Sequence, residues 1–190
     1  MSATVFPIGH YGGAREGVQA VRVGWSQHRL DEDAFGVWVM AHGLPDVGKG
    51  HWTVDDVVRQ CEGAGIADAV KHLEALADAG LVAVVDDPTN FARSHRMDVL
   101  FVGLGNAPER LEGHAVGIPG LGTAAVLDPD CYELWQWGSV APTLWHSCEV
   151  RATVTAAHGQ APDPMAALTE ILGDLRFLIS HGCAYLDVAG

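Results

Sequence analysis

Two short runs pair a histidine with a cysteine at one spacing, His146-Ser-Cys148 and His181-Gly-Cys183. Four such side chains could make a tetrahedral zinc site. The spacing serves that purpose on a strand, where alternate residues share a face; on a helix the two side chains diverge by about 200°. Aligning the chain with itself sets Cys183 against Leu81 and Cys131 against Ala34, which reads as small buried apolar residues, not ligands. His146, Cys148 and Glu149 are the one cluster from which acid–base or thiolate chemistry could start. No GxSxG, HExxH or Ser/His/Asp arrangement accompanies it. The glycine-rich pieces GLGN at 103–106 and GIPGLG at 117–122 lack the Lys-Ser/Thr ending of a phosphate loop and read as turns. The expectation is a protein that is not an enzyme and needs neither metal nor cofactor.

Residues suited to recognition are more plentiful. There are six tryptophans in 190 residues. Trp38 and Trp135 take equivalent helix positions and read as core, whereas Trp25, Trp52, Trp137 and Trp145 are less tied to a period. Trp137 and Trp145 flank a predicted loop, Gly138–Pro142, and either suits a groove or a contact between two halves of the chain. Eleven Lys and Arg against 24 Asp and Glu give a net charge of −13, unevenly spread. Residues 1–30 hold three Arg and one Glu, residues 31–90 three bases and twelve acids, and residues 91–190 five bases and eleven acids. Phosphate backbones need a basic face, so nucleic acid is a disfavoured partner and a basic or neutral one is favoured.

An apolar fraction of 48% excludes a disordered chain. No apolar run nears the roughly 18 residues of a membrane span. The start, MSATVFPIGHYGG, lacks the basic and apolar parts of a secretion signal. The cysteines at 61, 131, 148 and 183 form no CxxC pair. These features predict a soluble, cytoplasmic protein with reduced thiols and no membrane contact.

The elements that must position these residues come in two sets. LDEDAFGVW at 30–38 and LDPDCYELW at 127–135 repeat Leu, Asp, Asp, an aromatic and Trp at an offset of 97. Each opens a helix, with Asp31 and Asp128 as N-caps and Pro129 at the first helical position. LEALADAGLVAVV at 73–85 and LRFLISHGCAYLDV at 175–188 then correspond at an offset of 102. Each is a helix end, a glycine fit for the left-handed position, and a short strand. Thr53 caps a middle helix in copy one, and Pro142 to about His158 is helical in copy two. Strands at Val18–Trp25 and Thr123–Leu127 precede the first helices. A returning strand, Met97–Leu104, follows the turn residues 86–90 in copy one, and copy two has no such strand. A chance match between two ordinary capped helices is the alternative. Two matches in the same order favour duplication. The fold class is α+β: tandem winged-helix-like repeats, each three helices with a small antiparallel sheet, over 1–108 and 109–190, joined within Gly105–Gly120.

VLDPDCYELWQW followed by DPMAALTEILGDLRFLISHGCAYLD resembles the PqqD-like domains, the leader-peptide recognition elements of ribosomal-peptide biosynthesis. The resemblance covers about 70 residues of copy two and, more faintly, residues 20–85. Copy two departs from the family at the second helix: the usual Thr-containing start is missing, and Ala-Pro-Thr-Leu-Trp stands instead. The resemblance implies a non-catalytic module that binds an extended peptide by strand addition beside the third helix. The expected contacts are Trp25, Lys71, His72, Arg93, Arg96, Trp137 and Trp145, with Arg93 and Arg96 in the wing. The partner is a peptide or protein, and the chain itself is a possible homodimer. The alternative is a winged-helix DNA-binding regulator, against which stand the acidic outward positions Asp68 and Asp78 of the third helix.

Overall fold

The computed structural model describes residues 3–107, 110–156 and 161–190. Its elements make a mixed α+β fold with several small antiparallel sheets, and one order of elements runs through it twice. In the first half, strand β1 (Thr4–Pro7) leads into a meander of β2 (His10–Arg15), β3 (Val18–Val23) and β4 (Ser26–Leu30). Helices α1 (Glu32–Met40), α2 (Val54–Gly63) and α3 (Ala69–Asp78) follow, then strand β5 (Val82–Val85). A short helix, α4 (Pro88–Ser94), connects the halves. The second half has strand β6 (His95–Val99) and a meander of β7 (Val102–Ala107), β8 (Arg110–Ile118) and β9 (Gly122–Leu127). It continues with α5 (Pro129–Trp137), α6 (Leu144–Thr155), α7 (Pro164–Ser180) and strand β10 (Ala184–Val188).

Local chemistry fixes the helix ends. The Asp31 carboxylate accepts from the Ala34 N–H at 2.8 Å, and Asp128 does the same for Cys131 at 2.9 Å. Thr53 accepts from the Asp56 N–H while the Asp56 carboxylate accepts from the Thr53 N–H, a reciprocal capping box. Thr143 caps α6 in turn, accepting from His146 at 3.1 Å, so the threonine in Ala-Pro-Thr-Leu-Trp does the work of Thr53. Helices α3 and α7 both stop at a glycine with positive φ, Gly80 at 70° and Gly182 at 66°. The next residue then folds back, Leu81 donating to the Leu76 carbonyl and Cys183 to that of Leu178.

Each half closes by joining its first strand to its last. Strand β1 pairs antiparallel with β5, Pro7 opposite Val82, and β6 pairs with β10, Val99 opposite Ala184. Just past those strands Ile8 donates to Leu81 and Leu100 to Cys183, both at 2.8 Å. The repeated tryptophans reach back to the same two residues: the Trp38 indole donates to the Ile8 carbonyl and the Trp135 indole to that of Leu100. Both indoles are buried, as their helical period predicts.

This pairing corrects three expectations. Met97–Leu104 does not return to the first copy, because β6 is the partner of β10. The division between residues 108 and 109 falls between β7 and β8, which pair with each other; those two residues themselves lie outside the described ones. Residues 86–90 are not a turn to a wing: Asp87 accepts from the Thr89 and Asn90 N–H groups and Pro88 takes the first position of α4. Arg93 therefore sits on a helix and Arg96 on β6. The α6 helix is shorter than expected and begins at Leu144; the part of that expectation beyond Ala156 lies outside the described residues.

Two apolar clusters form the interior. One is built wholly from the first half, around Val5, Val37, Trp38, Val57, Leu73 and Leu76. The other gathers the second half around Leu134, Ile171, Leu175 and Leu178, and also takes Phe6, Ile8 and Val85 from the first. In return, the buried Arg176 of α7 enters the first half, donating to the Val5, Ala41 and His42 carbonyls and stacking 4.2 Å over the Phe6 ring. Burial lowers its guanidinium to about 9, so it keeps its charge at neutral pH. Lys49 adds a second tie, 2.7 Å from Asp128 and 2.6 Å from the buried Asp174. Burial pulls the Lys49 ammonium down, but those two carboxylates outweigh it and hold its pKa above the usual lysine value.

Candidate functional site

Peptide recognition by strand addition needs an edge strand, and each meander ends in one. The sheet orders are β2-β3-β4 and β7-β8-β9, so among the described residues β4 and β9 each pair on one side alone, just before the Asp-capped first helix. The register sorts the side chains of the first sheet. Val21 opposes His28 and Gln19 opposes Leu30 on the face bearing the buried Val21 and Leu30. The other face carries Arg22 opposite Gln27, Arg29 opposite Ala20, and Arg15 opposite Val18. All three arginines are exposed, which gives this acidic protein one cationic sheet face. Arg22 has Asp187 3.7 Å away. The second meander is apolar where the first is basic: Val102, Leu104, Leu111, Ile118 and Leu121 are exposed.

The seven residues expected to meet a partner are dispersed. Trp25 is fully exposed at the β3–β4 turn, where the preceding Gly24 N–H donates to Asp187. Lys71 is exposed and His72 half-buried on α3. Arg93 lies 4.9 Å over the Trp145 ring, the one pair the structure brings together. Arg96, on β6, is held by Asp98 at 3.0 Å and by the Ser139 carbonyl at 3.3 Å. Trp137, at the end of α5, is 60% exposed and stands on a groove.

That groove is about 670 Å³ and lies between α5, the α5–α6 loop, α6 and α7. Leu134 and Ile171 are buried at its floor; Trp137, Val140, Val150 and Val154 are exposed along it, and Asp130, Glu133 and Glu170 border it. Only Trp137 and the loop after it pointed here in the sequence. The period of α6 would have revealed the rest, since Val150 and Val154 stand one turn apart on a helix whose buried side is Leu144, Cys148 and Ala152.

The thiols are poorly placed for chemistry. All four cysteines are free and buried. Burial pushes Cys148 and Cys183 up to about 11, and Cys131 higher still, so each is a neutral thiol at neutral pH. His146 and Cys148 lie on α6, where they diverge, and His181 bonds the Phe177 carbonyl at 2.8 Å. Glu149 accepts from the Trp145 indole at 2.8 Å. Among the described residues no three His, Cys, Asp or Glu are grouped to hold a metal ion. Nor is any described helix long and apolar enough to cross a membrane. No protein-family model, curated protein or solved structure matches the chain.

Proposed function

We propose that this is a non-catalytic recognition protein of two winged-helix-like units that binds an extended segment of a peptide or protein partner by strand addition. One observation carries the reading: among the described residues β4 and β9 leave unpaired backbone edges at the same place in both halves, each directly before an Asp-capped helix. An open edge supplies a row of N–H and C=O groups, and neighbouring side chains set specificity. The arginine face beside β4 favours acidic residues in the bound segment. The exposed leucines and valines of the second meander favour apolar ones. The resemblance to PqqD-like domains adds a partner class, the leader segment of a ribosomally made peptide, and an accessory role in its modification.

The test uses proline, which removes an N–H and blocks a pairing edge. Adjacent residues of an edge strand alternate in the direction of their N–H, so His28→Pro and Arg29→Pro form a matched pair. One removes a bond to β3 and lowers the melting temperature; the other leaves folding nearly unchanged and abolishes addition. Linear peptides selected from a displayed random library against the full chain should lose at least about tenfold in affinity for the stably folded variant. Selected peptides that bind both variants, and the matching β9 pair Ala125→Pro and Val126→Pro, as they bind the native chain would end the reading. A saturable, salt-sensitive shift of a short DNA duplex would move it to nucleic acid.

A further inference from the structure

The geometry points to a second docking site, separate from the sheet edges: the α5–α6–α7 groove takes one amphipathic helix carrying lysine or arginine beside its apolar stripe. Its volume of about 670 Å³ is ample for several side chains, and its exposed walls, Trp137, Val140, Val150 and Val154, are apolar. Water gains nothing from such a surface, and four large apolar side chains left open side by side mark a place another molecule covers.

The walls decide the form of the occupant. Apart from Val140 on the α5–α6 loop they are helices, whose backbone groups are bonded within each helix, so they offer little edge to an extended strand. A segment entering here must arrive with its own backbone satisfied, as a helix does. The stretch of α6 from His146 to Val154 spans about 12 Å, enough to meet side chains at i, i+4 and i+7 of a partner helix.

The border decides its charge. Asp130, Glu133 and Glu170 carry carboxylates with no cation bound to their side chains among the described residues. The one arginine on the groove, Arg151, is already spoken for: it donates to Asp174 at 2.6 Å and to the Asp130 carbonyl at 2.8 Å, and its side chain is only 9% exposed. The groove therefore presents negative charge around an apolar bed. A second copy of this chain is a poor occupant, because none of the seven α-helices among the described residues bears more than one Lys or Arg and the net charge is −13.

Three synthetic peptides of sixteen residues test this with the full chain: a Leu/Lys amphipathic helix, its Leu/Glu counterpart, and a Leu/Lys peptide of the same composition without helical period. Titration calorimetry should find the first binding at least tenfold tighter than either other, and more weakly as salt rises. Glu133→Lys with Glu170→Lys should reverse the preference between the first two. Val154→Gln, which removes the apolar wall without changing charge, should weaken the first peptide at least tenfold with an unchanged melting temperature. The His28 and Arg29 proline variants should bind it as the native chain does, so loss of edge binding and loss of groove binding read out separately. Equal binding of the two Leu/Lys peptides, or indifference to Val154→Gln and to charge reversal, would overturn the proposal. A dimer at micromolar concentration that Val154→Gln dissolves would overturn it in favour of a second copy.

Discussion

The two halves share caps, strand register and indole bonds, yet treat the space between their first and second helices in opposite ways. In the first half thirteen residues, Ala41–Thr53, span it, and Trp52 folds in with its indole donating to the Met40 carbonyl. The same loop gives Arg176 the Ala41 and His42 carbonyls and gives Asp174 the Lys49 ammonium. In the second half six residues, Gly138–Thr143, make the crossing, and Gly138 lies so close to β6 that a Cβ there would meet the Met97 sulfur at 2.5 Å. No tryptophan folds in, and Trp137, the counterpart of Met40, faces solvent. One half uses this place to fasten itself to its neighbour; the other leaves it open. The lesson is that loop length, at constant helix chemistry, decides whether a surface is consumed inside the molecule or kept for a partner.

The sharpest test of that contrast removes the two tryptophans one at a time. Trp52→Ala should cost about 4 kcal/mol by urea denaturation, as for large aromatic deletions in cores, and Trp137→Ala under about 1 kcal/mol. Equal costs would mean the second half is closed as well. Arg176→Ala should cost about 3 kcal/mol, because three carbonyls lose their donor, whereas alanine at the exposed Glu74, its counterpart on α3, should change stability by less than about 0.5 kcal/mol.

A pH titration separates the halves next. Burial holds His42 down to about 4, below the 6.5 of the unfolded chain, and the second half has Ser139 in its place. The unfolded state then binds more protons between those values, so stability is full above pH 6.5 and falls as pH drops toward 4. The loss should reach about 2 kcal/mol by pH 4.5, and His42→Ser should flatten it. The smallest effect concerns the caps. Asp31→Ala should cost about 1 kcal/mol and Asp128→Ala somewhat more, since Asp128 also holds Lys49.

What the sequence made legible was chemistry that acts within a few residues. Asp31, Asp128, Thr53 and Asp163 cap helices as their types predict, and Gly80 and Gly182 end them. The β2 strand was missed because Gly12 and Gly13 interrupt its pattern, and a bulge sits between Tyr11 and Gly13. Asp87-Pro88 misled because the same pair suits a turn and a helix start. The partnership of β6 with β10 spans most of the second half and leaves no local trace. Arg176 reads as a surface residue, since only the fold supplies the carbonyls that let a guanidinium be buried. Of the groove, the sequence showed Trp137 and the loop; the opening itself comes from residues that the second half lacks.

The mutual insertion of Phe6, Ile8 and Val85 into the second core, and of Arg176 into the first half, has a consequence for synthesis. As the ribosome delivers the chain, the first half emerges with three apolar side chains bare and three carbonyls waiting, and it completes itself only when α7 is made. Severed between β5 and α4, the first fragment would keep its own cluster around Val37 and Leu73 but leave Phe6, Ile8 and Val85 bare, and the second would lack the three side chains that complete its interior.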